Sequence, residues 1–328
     1  MDETRGANEL TVAGTAGPGT YGERHWQSFR DRVEGGSERF DVRLLVFGEL
    51  GSEEQQLSAL RRGRVQIANI SAVGASTSVP ELSVLYAPFL FESEAEADFV
   101  YDRYLTEYFR ALFADYGLVF ITWYETGFHH LYSTRSLRTP DDVKGLRLRV
   151  SASPAIRGFA RALGADVIPL GFGDIVPSLQ TGLIDAGEAA ISVYARTGLA
   201  SQAPHLTLTA HAYGVSVVVA NMDWWRSLDA DEQSLLMNAY PSIKQTRQTI
   251  RQETHDTLTG AMHAGIHLHA LDAAERRVWR EATRVSHERL LSEIGGRARE
   301  VYALIEEARE DFQRLGRPGE SDSGSPPI

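Results

Sequence analysis

Three groups of residues have types and spacings that could do chemistry. The first is "GPGTYG", where Gly17, Gly19 and Gly22 satisfy G-x-G-x-x-G. Between a strand and a helix, that spacing suits a dinucleotide turn with the pyrophosphate on the helix N-terminus. Glu49 supplies an acid near the end of the next strand. Two details oppose this reading. Pro18 fixes φ between the first two glycines, and Glu23 puts a carboxylate where the pyrophosphate would sit. The plain alternative is a glycine-rich β-α turn that faces a cleft with its backbone N–H groups. The second group is "GLRLRV", in which Arg147 and Arg149 alternate with leucines and share one face of a strand. A guanidinium grips a carboxylate with two parallel hydrogen bonds; the alternative is two arginines on a solvated edge strand. The third group is histidine. His129 and His130 are adjacent and point to opposite faces of a strand, so at most one serves a given site. His263 and His267 have the i, i+4 spacing of a helical chelate, with His269 close by. No carboxylate or cysteine partner has matching spacing, and solvated histidines at a helix end are the simpler reading. No G-x-S-x-G, H-E-x-x-H or G-x-x-x-x-G-K-[ST] occurs, and no nucleophile–base pair is visible. Tyr86, Phe89, Phe91, Trp123 and Tyr124 read as core aromatics.

These groups sit on alternating strand and helix signals. "LTVAGTA" reads as a strand, and Trp26, Phe29 and Val33 fall on one face of the helix after it. "DVRLLVF" is a second strand. Ser52 and Gln55 form a capping box for a helix with Leu57 and Leu60 inward, closed by Arg61, Arg62 and Gly63. "VQIANI" is a third strand. This β-α-β-α-β order implies a parallel sheet. The same grammar returns at Thr139-Pro140 and Ser153-Pro154, two helix starts, the second followed by an apolar stripe of Ala155, Ile156, Phe159, Ala160 and Leu163. "DVIPL", a short helix and "IDAGEAAI" complete that set. Val215 to Ala220 is the longest buried-strand candidate, a helical region begins near Asp229, and the last third is mostly helical. Two tandem sets of β-α units imply two α/β lobes with a cleft between them.

A chain of 328 residues is long enough for two such lobes, and 43% hydrophobic and 23% charged residues are ordinary for a globular protein. A net charge of −11 argues against nucleic acid or an anionic membrane as partner, and an anionic ligand would need a local cation. No apolar run approaches the roughly 18 residues that cross a bilayer. The absence of cysteine excludes disulfides, zinc–thiolate sites and thiol catalysis. "MDETRGANEL" lacks the basic-then-apolar pattern of a signal peptide. Composition leaves the compartment open: cytosol, or periplasm after removal of a signal.

The stretch "VKGLRLRVSASPAIRGFARALGADVIPLGFGDIVPSLQTGLIDAGEAAISVY" resembles substrate-binding proteins of tripartite ATP-independent periplasmic (TRAP) transporters. The family pattern runs through K-G-L-K-[IL]-R-V-P, A-L-G-A-x-P-x-P, a phenylalanine, A-L-Q-T-G-x-[VI]-D and an E-N pair. "GELGSEEQQLSALRRGRVQIANIS", "LYAPFLF" and "LTLTAHAYGVSVVVANMDWWRSLDADEQ" match other family stretches, so the likeness spans about residues 8–315 in order and spacing. The resemblance implies a two-lobed α/β fold of the periplasmic-binding-protein type, with a central ligand cleft and a long helix spanning both lobes. Lobe I is expected at 8–126 and 215–254, lobe II at 127–214 and 255–315, with a disordered tail at 316–328. It implies a periplasmic, monomeric protein that is not an enzyme, uses no cofactor, binds a small carboxylate such as an organic or sugar acid, closes by a hinge and delivers its solute to a membrane permease; whether a metal ion bridges the solute is left open. The family's carboxylate-binding arginine falls on Arg149, with Arg147 outside the site. Its cleft phenylalanine falls on Phe172 and the glutamate of its E-N pair on Glu188; Tyr213 follows its histidine, here His211. Thr15 and Ser71 fall on ligand-facing turns, which makes "GPGTYG" a cleft wall. The sequence departs from the pattern at His129, where the family often has arginine, and at Ala189, Ala190 and Ser151, so the solute is left open. His129 would donate a hydrogen bond there and could make affinity depend on pH. The competing readings are an NAD(P)-dependent oxidoreductase built on Gly17–Gly22 and a sensory binding protein with the same pocket.

Overall fold

A computed structural model describes residues 8–263 and 265–315; the tail expected at 316–328 lies outside them. Among the described residues the strands are β1 (Asn8–Ala13), β2 (Phe40–Leu45), β3 (Ile67–Ser71), β4 (Leu118–Ser133), β5 (Arg147–Val150), β6 (Asp166–Pro169), β7 (Ala186–Ala190), β8 (His205–Asn221) and β9 (His267–Ala270). No helix among them is long and apolar enough to cross a membrane.

The chain divides into two compact units. The first takes in the chain up to Val79, Thr106–Glu125 and Val215–Ile250; the second takes in Pro80–Leu105, Thr126–Gly214 and the chain from Arg251 on. Residues 80–105, expected with the first lobe, group with the second unit. Both long strands pass from one unit into the other, and so does the 21-residue helix Ile243–His263.

In the first unit β1 pairs in parallel with β2 and β3, as the β-α-β-α-β order requires, and β3 pairs antiparallel with the C-terminal part of β8. The helix Tyr21–Gly36 buries Trp26, Phe29 and Val33 against Leu10, Val12 and Val42. Burying such apolar side chains contributes about 1.5–3 kcal/mol each. The capping box at Ser52 and Gln55 forms as read.

In the second unit the strand order is β8-β4-β7-β5-β6, with β9 parallel to the N-terminal part of β8. The stripe from Ala155 to Leu163 is buried, on a helix that begins with Pro154 at its first turn. Thr139-Pro140 opens only a four-residue 3₁₀ turn, Pro140–Val143. Gly145 then takes φ +68° and returns the chain into β5.

Candidate solute-binding site

The two arginines of β5 have different fates. Arg147 is exposed at the strand start and pairs in a fork with Asp185, at 2.5 and 2.9 Å. Arg149 is only 8% exposed. Its Nε and Nη2 donate to one acceptor, the carbonyl of Leu170, at 3.2 and 3.0 Å. The Leu170 N–H donates back to Val150 at 3.2 Å, so the segment after β6 is tied to β5. The carbonyl occupies the side edge of the guanidinium. The end edge, with N–H groups on Nη1 and Nη2, has no partner among the described residues. A buried guanidinium with no ion pair among the described residues has its end edge left for two parallel hydrogen-bond acceptors.

Phe172 follows two residues after Leu170, in the short turn Phe172–Asp174, and is 59% exposed.

On β4 and β7, His129 and Glu188 form a direct pair in which Nδ1–H of the imidazole donates to the carboxylate. Burial by itself would push the Glu188 carboxyl up. The charge of His129, its hydrogen bond and the Arg149 charge outweigh it and hold the carboxyl below its ordinary range, so Glu188 is an anion. The His129 ring meets Tyr86 edge-on at 5.5 Å. Its other side lies against Gly214, where a Cβ would fall 2.6 Å from Nε2 and 2.3 Å from Thr126 Oγ1. No other residue type leaves room for the imidazole there. His130 points the other way, as expected for adjacent strand residues; its Nδ1 accepts from the Ala210 N–H at 3.1 Å.

His211 stacks flat on Phe159, 4.1 Å between ring centres, and its Nδ1 pairs with Thr209 Oγ1 at 2.7 Å. Burial pushes this imidazole down to about 3, against the pull of Glu188, so it is neutral. The backbone beside it is strained: Ala210 has φ +44° and Phe89 has φ +55°. Arg276 holds the kink by donating to the carbonyls of Ala210 and Phe91, both at 3.2 Å, while the Phe89 N–H donates to the His211 carbonyl at 2.6 Å. Tyr213 packs among Phe91, Tyr101 and Phe128, and its hydroxyl accepts from Arg251 at 3.1 Å.

In the first unit, Thr15 is exposed and bridges to Phe47 after β1. Ser71 ends β3. Its N–H and hydroxyl donate to the two carboxylate oxygens of Glu53, at 2.7 and 2.5 Å, and its hydroxyl oxygen accepts the Gly74 N–H at 2.9 Å. Burial raises the Glu53 carboxyl above its ordinary range, with the Ser71 hydrogen bonds pulling against it. Glu53 is the second glutamate of "GELGSE", and sequence pattern alone does not single it out as the partner of Ser71. The glycine turn does not present itself to a pyrophosphate. Glu23 accepts the Gly19 N–H at 2.7 Å, and Thr20 caps the helix. Glu49 accepts the Phe47 N–H of its own loop at 2.8 Å.

The helical chelate at 263 and 267 does not form. The helix stops at His263, and His267 and His269 lie on β9 beside His205 of β8. Nδ1 of His205 is 3.1 Å from Nε2 of His269. Among the described residues no three or more His, Cys, Asp or Glu are arranged to hold a metal.

The second unit is thus an α/β unit whose sheet carries a buried arginine with one edge unused among the described residues. Residues 13–293 match the bacterial extracellular solute-binding proteins, family 7 (DctP), and the chain belongs to that family, the substrate-binding proteins of TRAP transporters. The ectoine-binding periplasmic protein TeaA of Halomonas elongata is 27% identical over 216 residues, 65% of this chain and 63% of TeaA, a little under two thirds of its length. The C4-dicarboxylate-binding periplasmic protein DctP of Rhodobacter capsulatus is 26% identical over 271 residues, 82% of this chain and 80% of that one. The fold matches the sugar acid binding protein DctPAm of Advenella mimigardefordensis in complex with galactonate, with TM-score 0.84 and 25% identity over 92% of this chain and 99% of that one.

Proposed function

We propose that this chain is a periplasmic receptor that captures a small carboxylate, an organic or sugar acid, on Arg149 and delivers it to a TRAP-type membrane permease. The observation that carries the reading is the Arg149 guanidinium, buried, with its end edge free. A carboxylate there forms two parallel charge-assisted hydrogen bonds and supplies a direct ion pair that Arg149 lacks among the described residues. Phe172 would cover the carbon skeleton. His129, held by Glu188, would offer its second nitrogen to a solute oxygen, and Tyr213 would hold the wall behind. Thr15 and Ser71 are proposed as solute-facing residues of the first unit. Galactonate in DctPAm and C4-dicarboxylates in the Rhodobacter protein support this chemistry by analogy.

The test is a thermal-shift screen of the whole protein against a few hundred organic acids, sugar acids, amino acids and nicotinamide cofactors. A ligand at 1,000 times its Kd adds about 4 kcal/mol of stability. A rise with one class of carboxylate supports capture and names the solute class. A rise with NAD or NADP alone would overturn the reading.

A further inference from the structure

Tyr132 has no part in the site as described, yet it lies level with Arg149. On β4 it pairs with Gly187 of β7. On the other side of β7, Leu148 pairs with Ala186, so Arg149 of β5 is level with Gly187 as well. Residues level across neighbouring strands share a face, so Tyr132, Gly187 and Arg149 form one row across three strands. Gly187 leaves the middle of the row empty, and Tyr132 fills it. A Cβ on Gly187 would lie 2.1 Å from the tyrosine Oη and 2.4 Å from its Cζ. The phenol therefore reaches across β7 toward the strand that carries Arg149.

The ring is fully buried and stacks on Tyr194 at 6.0 Å. The two hydroxyls differ. Tyr194 donates to the Ala203 carbonyl at 2.8 Å. The Tyr132 hydroxyl is buried and has no hydrogen-bond partner among the described residues. An unpartnered buried hydroxyl costs about 1–3 kcal/mol, and native proteins keep few of them without a reason. Burial keeps the phenol protonated, although Arg149 pulls the other way. The group is thus a neutral donor in the row of a cation whose free edge also consists of donors. The partner that suits both is an anionic acceptor.

We infer that the Tyr132 hydroxyl is a second anchor for the solute carboxylate, donating to one of its oxygens while Arg149 grips the group through its end edge. This rests on the reading of Arg149 as the carboxylate anchor. Gly187 is part of the device, because any side chain there would displace the phenol.

The experiment compares wild type, Tyr132→Phe and Arg149→Lys by isothermal titration with the carboxylate that gives the largest shift in the screen, and records Tm without ligand. Tyr132→Phe keeps the ring and removes one oxygen. Its Kd is expected to rise about tenfold, the size of one hydrogen bond to a charged group, while the unliganded Tm stays level or rises. An unchanged Kd in Tyr132→Phe, with Arg149→Lys still impaired, overturns this inference and leaves the carboxylate reading standing. A lower unliganded Tm overturns it too, because the hydroxyl then serves the fold. A wild type that binds no carboxylate in the panel overturns both.

Discussion

Replacing Arg149 by alanine tests the central claim, and its size follows from the surroundings. The guanidinium is 8% exposed, so a carboxylate bound to it leaves water almost completely. Without the arginine that carboxylate has no cation, and truncating one member of a buried charge pair costs about 2–5 kcal/mol. At 1.4 kcal/mol per decade the Kd rises roughly 30- to 4,000-fold. Lysine is the sharper probe. It restores a charge but not the fork, and it cannot serve both the Leu170 carbonyl and two carboxylate oxygens. Arg149→Lys is therefore expected between wild type and alanine, about tenfold weaker than wild type. Isothermal titration with the best carboxylate of the screen gives both constants. Because the contact is buried, the difference should persist at high salt, where an exposed pair would be screened. Alanine and lysine variants that bind within threefold of wild type would refute the assignment.

Three further outcomes follow. His25 is 3% exposed inside a cage of Tyr21, Trp26, Tyr124 and Tyr240, and burial, with Arg32 adding, pushes its pKa from 6.5 to about 4. Above pH 6.5 both folded and unfolded chains keep it neutral; between 6.5 and 4 only the unfolded chain takes the proton, so stability falls with falling pH by up to about 3 kcal/mol. His25→Phe should flatten urea-unfolding stability across that window, and an unchanged slope would show that the ring is not the source. Gly214→Ala drives a Cβ into Thr126 Oγ1 and the His129 ring. Overpacking of this kind costs about 1–3 kcal/mol, and solute affinity should fall with it as His129 leaves Glu188; stability within 0.5 kcal/mol of wild type, on the order of an ordinary surface change, would contradict the close approach. Glu53→Gln leaves one acceptor where Ser71 brings two donors, so denaturant unfolding should show a loss of about 1–3 kcal/mol, and no loss would mean that the amide serves as well.

The local elements of this protein are legible in its sequence because they are local effects. The Ser52–Gln55 box spans one turn, the inward stripe of 155–163 follows the helical period, and the β-α order of the first unit implies a parallel pairing of β1 with β2 and β3. Alternation along β5 marks Arg147 and Arg149 as a pair with the same phase. What separates them is not in the strand. Asp185, 38 positions away, neutralises Arg147, while the turn after β6 gives Arg149 only a carbonyl. Family likeness pointed to Arg149, but its free edge is a property of the packed chain. The same holds for Glu53 under Ser71, for Gly214 against His129 and for Tyr132 across Gly187, contacts between residues 18, 85 and 55 positions apart. The helical spacing of residues 263 and 267 has no structural counterpart for a similar reason: His263 lies on the helix, whereas His267 lies on β9, which pairs with β8. Local spacing determines which faces are apolar and where elements begin; which charges are left without a partner depends on what the fold brings beside them.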